Sequence, residues 1–202
     1  MRLTGAGVAR ACFLWNNALM IKSKIRGQMR ILAAEFNGYR RAASKISRKI
    51  ICSQQFKKSD TVLAYMALPD EADISKVIKK AIKVGKSVYI PKVFAETGRM
   101  EFFRLTEITR TESGAFGIQE PAGKIGTEFQ PQNADSRTLV LVPGRAFTKS
   151  GKRLGRGGGF YDKYLPLLKN KARIAGVCLQ FQLVDDLPAD EHDIRMDFIF
   201  LG

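Results

Sequence analysis

Between residues 61 and 91 the chain changes its hydrophobic period twice, and this constrains the fold more than any other feature. Thr61-Val-Leu-Ala-Tyr-Met66 is a short apolar run of strand type. Asp73 to Val84 carries apolar residues at helical spacing behind capping acids, and Ser87-Val-Tyr-Ile-Pro91 is a second strand. Strand, helix and strand in this order form a βαβ unit, whose crossover leaves the two strands parallel. Met100 to Arg104, Leu139 to Val142, Arg173 to Leu179 and Met196 to Leu201 read as further strands, with a helix near Tyr161 to Lys171 and a loop-rich stretch from Gly114 to Gly126. The pattern predicts a three-layer α/β/α sandwich around a mainly parallel, twisted sheet. With 202 residues, 45% of them hydrophobic, one domain over residues 21–202 can bury a sizeable core.

Ahead of that unit, Ile21, Ile25, Met29, Leu32, Phe36, Tyr39, Ala43, Ile46 and Ile50 recur at three- and four-residue steps, as one long helix or a pair broken near Gly38. Glycine costs roughly 1 kcal/mol against alanine inside a helix, which favours the break. The opposite face carries Lys22, Lys24, Arg26, Arg30, Arg40, Lys45 and Arg48, by default a solvated basic surface. Residues 1–20 are set apart as an N-terminal extension. Asn16 and Asn17 interrupt their apolar patch, so an overcalled start with Met20 as the true beginning is preferred to a weak targeting segment.

Lys and Arg number 34 against 19 Asp and Glu, a net charge of +15 that calls for a polyanionic partner without naming it. Cys12, Cys52 and Cys178 are odd in number and contain no CxxC, which argues against a disulfide framework and a zinc site and fits a reducing cytoplasm. No stretch approaches the roughly 20 apolar residues that span a bilayer.

Chemistry concentrates in Leu139 to Leu165. The apolar run ends at Pro143-Gly144, and a loop follows with five glycines, Lys149, Lys152, Arg153 and Arg156, before Phe160-Tyr-Asp-Lys-Tyr164 starts a helix. Backbone N–H groups, a helix start and interleaved cations together describe a phosphate cradle. Neither standard nucleotide motif is present. Gly85-Lys86-Ser87 has Lys80 where a P-loop needs glycine and follows a helix, and Gly155-x-Gly157 meets Phe160 where the dinucleotide fingerprint needs its third glycine.

The string Lys152-Arg-Leu-Gly-Arg-Gly-Gly-Gly-Phe-Tyr-Asp162, behind Val142-Pro-Gly-Arg-Ala-Phe147, resembles the signature of the 5-formyltetrahydrofolate cyclo-ligase (methenyltetrahydrofolate synthetase) family. Further blocks resemble the same family in the same order: Lys22-Ser-Lys-Ile-Arg26, Ala64-Tyr-Met-Ala-Leu-Pro-Asp-Glu71, Gly117-Ile-Gln-Glu-Pro121, and Gln182 followed by Pro188 and Asp193-Ile-Arg-Met-Asp197. The resemblance runs from about Lys22 to the C-terminus. It implies an ATP- and Mg²⁺-dependent ligase that converts 5-formyltetrahydrofolate, with or without a polyglutamate tail, to 5,10-methenyltetrahydrofolate. By the same resemblance, Lys22, Arg26, Arg153, Leu154, Gly155, Arg156, Gly157, Gly158, Gly159 and Tyr161 bind ATP, and Arg156 is the catalytic cation. Met66, Glu71 and Phe160 contact folate, and Asp162 and Asp193 are associated with Mg²⁺. Lys22 and Arg26, four residues apart, share one helical face. Without the resemblance Asp70 and Glu71 read as helix-capping acids and Asp193 as a turn residue, while Phe160, Tyr161 and Tyr164 could line a pterin or adenine pocket, helix packing being the commoner role for at least one of them. Gly117 to Pro121 carries a structural role only.

The chain departs from the family pattern at Arg145, a usually apolar position, at Thr148, commonly Asp, and at Phe160, usually Tyr. His192, the only histidine, is read as solvated, because no serine or cysteine stands in a nucleophile context. Two rivals stand beside the enzyme: a nucleic-acid-binding protein using the basic helix and loop, and a sugar-phosphate or nucleotide sensor without turnover. The basic residues lack an aromatic recognition motif, so the expected partners are ATP and the folate, with neither membrane nor nucleic acid, in a cytoplasmic monomer.

Overall fold

The computed structural model describes residues 5–94, 96–105, 111–113, 119–121, 127–188, 190 and 193–202; in 5–18, 111–113 and 119–121 it describes the backbone alone. The N-terminal helical period resolves into α1 (Gly5–Glu35) and α2 (Tyr39–Cys52), broken at residues 36–38, and α1 runs through residue 20 without interruption. A short α3 (Gln54–Lys58) leads into β1 (Thr61–Leu63), and α4 (Ser75–Lys83) crosses to β2 (Ser87–Phe94). Then come β3 (Arg99–Leu105), a small pair β4 (Thr111–Ser113) and β5 (Gln119–Pro121), β6 (Thr138–Val142), β7 (Ala146–Phe147), β8 (Arg153–Leu154), α5 (Phe160–Tyr164), β9 (Arg173–Cys178) and β10 (Phe198–Leu201).

Six strands form one sheet in the order β10-β9-β6-β1-β2-β3, parallel throughout except for β3, which pairs antiparallel with β2. All five residues of β6 are buried, as a strand covered on both faces requires. Its alternation divides the core: Leu139 and Leu141 join Ile46, Ile50, Val77 and Ile78 from α2 and α4, whereas Val140 and Val142 join Phe102, Tyr164, Leu165 and Leu168 on the other face. The α/β/α layering predicted from the sequence is the one observed.

Several boundaries differ, each for a local reason. β1 stops at Leu63 rather than Met66. After Ala64 donates to the Tyr89 carbonyl at 2.8 Å, buried Tyr65 turns away and its hydroxyl donates to the Ala72 carbonyl at 2.6 Å, pinning the loop that carries Asp70 and Glu71. β2 continues past Pro91 to Phe94 because β1 pairs only with Ser87 to Tyr89, so that flank of β2 needs no N–H at Pro91. The expected helix from Tyr161 to Lys171 shrinks to α5 and a 3₁₀ turn over Leu165–Leu168, since Pro166 cannot supply the N–H of a continuing α-helix. Within the expected loop from Gly114 to Gly126, residues 119–121 are a strand, paired with β4. Gly117 and Ile118 of the Gly-Ile-Gln-Glu-Pro block lie outside the described residues, as does His192.

Candidate functional site

Residues 143–162 follow the C-terminal end of β6 and are more ordered than a bare glycine loop. Arg145 N–H donates to the Leu154 carbonyl at 2.7 Å and Thr148 N–H to the Lys152 carbonyl at 3.0 Å, closing β7 and β8 into a hairpin. Thr148 is buried, and its Oγ1 accepts from the Lys152 N–H at 3.0 Å; the residue that departs from the family's Asp is a turn lock. Gly151 cannot be replaced without movement: its φ is +85° and an added Cβ would lie 2.3 Å from the Met196 carbonyl oxygen. Beyond β8, Gly157 and Gly159 have φ of +111° and +69°, conformations open to glycine and strained for other residues. Buried Gln182 bridges the site to β9, accepting from Leu179 N–H at 2.8 Å and donating to the Gly144 carbonyl at 2.9 Å.

The cations around this loop come pre-paired. Arg156 donates through Nε to Glu71 Oε1 at 2.9 Å and through Nη2 to Asp70, while Arg145 grips the second oxygen of Asp70. Glu71 is buried and also accepts from Leu68 N–H at 3.1 Å. Arg153 pairs with Asp162, donates to the Pro143 carbonyl at 3.4 Å, and lies over the Tyr161 ring at 5.4 Å. From α1, Arg26 Nε donates to the Gly155 carbonyl at 2.9 Å and Lys22 pairs with Asp190 at 2.7 Å and with Asp193 at 3.8 Å. One face of α1 therefore latches onto both the glycine loop and the segment ahead of β10.

The electrostatics follow from these contacts. Burial opposes ionisation of Asp70, but the hydrogen bonds and charges of Arg156 and Arg145 outweigh it and hold the carboxyl below the usual aspartate range. Burial likewise opposes the charge on Arg156, and Glu71 and Asp70 more than restore it. Tyr161 is pushed well above the ordinary phenol range, first by burial and then by the nearby Glu71 charge, with Arg153 acting the other way. Its hydroxyl is buried with no hydrogen-bond partner, a neutral donor held in reserve beside the loop.

The structure thus joins Glu71 to Arg156, Arg153 to Asp162 and Tyr161, Arg26 to Gly155, and Lys22 to Asp193. Asp70 and Glu71 do not cap α4, whose N-cap is Ile74; Asp73, one residue earlier, accepts from the Ser75 N–H at 2.8 Å. Leu154 is buried among Met29, Ala146 and Leu187, which leaves its side chain in the core rather than open to a ligand. Met66 packs against the core on the α2–α4 face, and Phe160 packs on the other and lines a cavity of about 350 Å³ with Met100, Phe129 and Tyr164. Asp162 and Asp193 answer different cations. α5 is only five residues long, so the cradle rests on backbone N–H groups and cations more than on a helix dipole.

Asp70 and Arg145 are the site residues that sequence reasoning missed. They lie 75 positions apart, and only the strand order brings them together. An arginine intruding beside Pro143-Gly144 was the available signal. For Mg²⁺, Asp162 is half exposed and Asp193 partly so, both hard oxygen donors. Among the described residues no group of three or more His, Cys, Asp or Glu could hold a metal. Isolated carboxylates fit an ion carried mainly by phosphate oxygens and water rather than a protein-built cage.

A mainly parallel sheet with a glycine-rich basic loop beyond a central strand, held by Arg–carboxylate pairs, is the architecture of an α/β protein that gathers cations and backbone N–H groups at one sheet edge. The comparisons make this specific. Residues 19–202 match the model of the 5-formyltetrahydrofolate cyclo-ligase family, and the chain belongs to that family. It is 27% identical over 184 residues to 5-formyltetrahydrofolate cyclo-ligase of Mus musculus, covering 88% of this chain and 89% of the relative. It is 30% identical over 165 residues to a probable 5-formyltetrahydrofolate cyclo-ligase of Schizosaccharomyces pombe, covering 75% and 79%. The solved 5,10-methenyltetrahydrofolate synthetase of Aquifex aeolicus superposes with a TM-score of 0.75 at 30% identity, over 90% of this chain and 89% of that one. The Mycoplasma pneumoniae 5,10-methenyltetrahydrofolate synthetase, at 23% identity and a TM-score of 0.69, covers 89% of this chain and 97% of its own and shares the fold. Among the described residues no helix is long and apolar enough to cross a membrane.

Proposed function

We propose that the enzyme converts 5-formyltetrahydrofolate and ATP to 5,10-methenyltetrahydrofolate, ADP and phosphate. The observation that carries this reading is Arg156, projecting from the glycine loop between Asp70 and Glu71. It is a charged guanidinium within reach of both an anion cradle and a second, acid-lined side. An N-formyl amide is a poor electrophile with a poor leaving group. Transfer of the γ-phosphoryl group to the formyl oxygen makes that oxygen a leaving group; N10 then bonds to the formyl carbon and loses its proton, and the C–O bond breaks to release phosphate.

Such chemistry asks a protein for positioning and charge neutralisation rather than a nucleophile. Gly155, Gly157, Gly158 and Gly159 offer backbone N–H groups, while Lys22, Arg26 and Arg153 balance phosphate charge. Arg156 stabilises the transferring group, and the buried Tyr161 hydroxyl donates to an oxygen of a bound ligand. Glu71 accepts from the pterin, with Met66 and Phe160 as apolar walls. Mg²⁺, held by Asp162 and Asp193 directly or through water, would neutralise phosphate charge. The route is tested with ¹⁸O in the formyl group: the label should appear in released inorganic phosphate. Label lost to water instead would sink phosphorylation of the formyl oxygen.

A further inference from the structure

The outward layer of α2, α3 and α4 carries eleven cations, Arg40, Arg41, Lys45, Arg48, Lys49, Lys57, Lys58, Lys76, Lys79, Lys80 and Lys83, and not one Asp or Glu. All eleven are exposed. Lys49 donates to the Leu201 carbonyl at 2.7 Å and Lys76 to Ser44 Oγ at 3.0 Å; among the described residues no carboxylate pairs with any of the eleven. The contrast with the site is sharp, for there Arg145, Arg153, Arg156 and Lys22 each have an acid. The Lys76–Ser44 bond joins α4 to α2, so the two helices present one continuous face.

Like charges at i,i+4, such as Arg41, Lys45 and Lys49 or Lys79 and Lys83, destabilise a helix. Among the described residues Glu35, at the end of α1, makes no ion pair with this layer, Asp60 pairs with Arg137, Asp73 bonds Ser75, and Asp70 and Glu71 pair with the site arginines. Among the described residues no carboxylate offsets the repulsion on this layer, which leaves it open to an anionic partner.

We propose that this layer binds the phosphodiester backbone of double-stranded nucleic acid without regard to sequence, as a function separate from catalysis. A 14-residue α2 is about 20 Å long, and B-DNA presents a phosphate charge about every 1.7 Å of axis, so several phosphates fall within reach. Its two aromatics are engaged, half-buried Tyr39 against Phe36 and Phe181 and Phe56 in the core, which leaves no free ring for base stacking and disfavours single strands. Val84 is its one exposed large apolar residue, which gives a lipid surface nothing to bury beyond charge attraction. The expectation of no nucleic-acid partner rested on the lack of an aromatic recognition motif, which backbone binding does not need; the fold adds the cations of α3 and α4 to those of α2.

The test uses the full chain and a fluorescent 25-base-pair DNA duplex, with an RNA duplex of the same length to separate the two sources of that backbone. Anisotropy should report binding that weakens about 10³-fold or more between 50 and 200 mM salt. Lys45→Gln, Arg48→Gln, Lys79→Gln and Lys83→Gln together should lower the slope of log K against log salt by about 3.6, at 0.9 per lost phosphate contact, with folate turnover unchanged. No binding at 50 mM salt, an unaltered slope in the variant, displacement of the duplex by ATP, or tighter binding to phosphatidylserine vesicles than to either duplex would each overturn the proposal. A variant that loses its thermal transition is replaced by the Lys45→Gln and Lys79→Gln pair, read against a proportionally smaller slope change.

Discussion

Removing Arg156 should cost stability as well as activity, and the geometry sets the size of the loss. Its Nε bond to Glu71 is 2.9 Å, and the Glu71 side chain is only 7% exposed. Breaking a fully buried ion pair from one side costs about 3–5 kcal/mol, because a charge is left without its partner. Two features reduce that figure: the Arg156 side chain is 32% exposed, so water can reach the gap, and Glu71 keeps the Leu68 N–H bond. Asp70 keeps Arg145. Arg156→Ala should therefore destabilise by about 2 kcal/mol, a drop of roughly 4–8 °C in melting temperature for a chain of this size. In a Glu71→Gln background no charge is stranded, and the same substitution should cost less than about 0.5 kcal/mol. Differential scanning calorimetry on the four proteins closes the cycle, with an expected coupling of about 1.5 kcal/mol. Additivity of the two substitutions within about 0.3 kcal/mol would refute the reading of Arg156 and Glu71 as a coupled ion pair.

Asp70 titrates below the ordinary aspartate range in the folded protein, so its contribution to stability is complete above about pH 3.9 and is lost as pH falls through its lower folded value. The stability gap between the parent and Asp70→Asn, measured by urea unfolding, should accordingly shrink between about pH 4 and pH 2; a gap independent of pH would contradict the pairing. Gly151→Ala meets both a left-handed backbone and the Met196 carbonyl at 2.3 Å, and should lose more than about 2 kcal/mol or fail to accumulate folded. Gly157→Ala has only Arg26 nearby, at 3.8 Å, and should lose about 1–2 kcal/mol to backbone strain alone. Equal melting temperatures for the two variants would remove the distinction.

The layers were legible because the central strands advertise themselves. β6 is a continuous apolar run, and the period change from β1 through α4 to β2 leaves little choice but a parallel unit. The antiparallel β3 edge and the β7–β8 hairpin were not legible, because two-residue strands have no periodicity and pairing sense depends on the connection. At the site, the loop glycines and cations announce phosphate chemistry through composition. Their acid partners do not announce themselves. Asp70 and Glu71 precede a helix, where acids usually serve as caps, and only the adjacency of β1 and β6 in the sheet brings them to Arg145 and Arg156. Thr148 shows the reverse case, a departure from a family pattern that proves to be a buried turn lock.

The cyclo-ligase reaction is tested most directly by the near-ultraviolet absorbance of 5,10-methenyltetrahydrofolate, followed with purified protein, 5-formyltetrahydrofolate, ATP and Mg²⁺. The expected result is a rise that needs both ATP and the folate and that falls about 100-fold or more in Arg156→Ala. Absence of any rise under conditions where the parent protein binds ATP, or full turnover in Arg156→Ala, would contradict it.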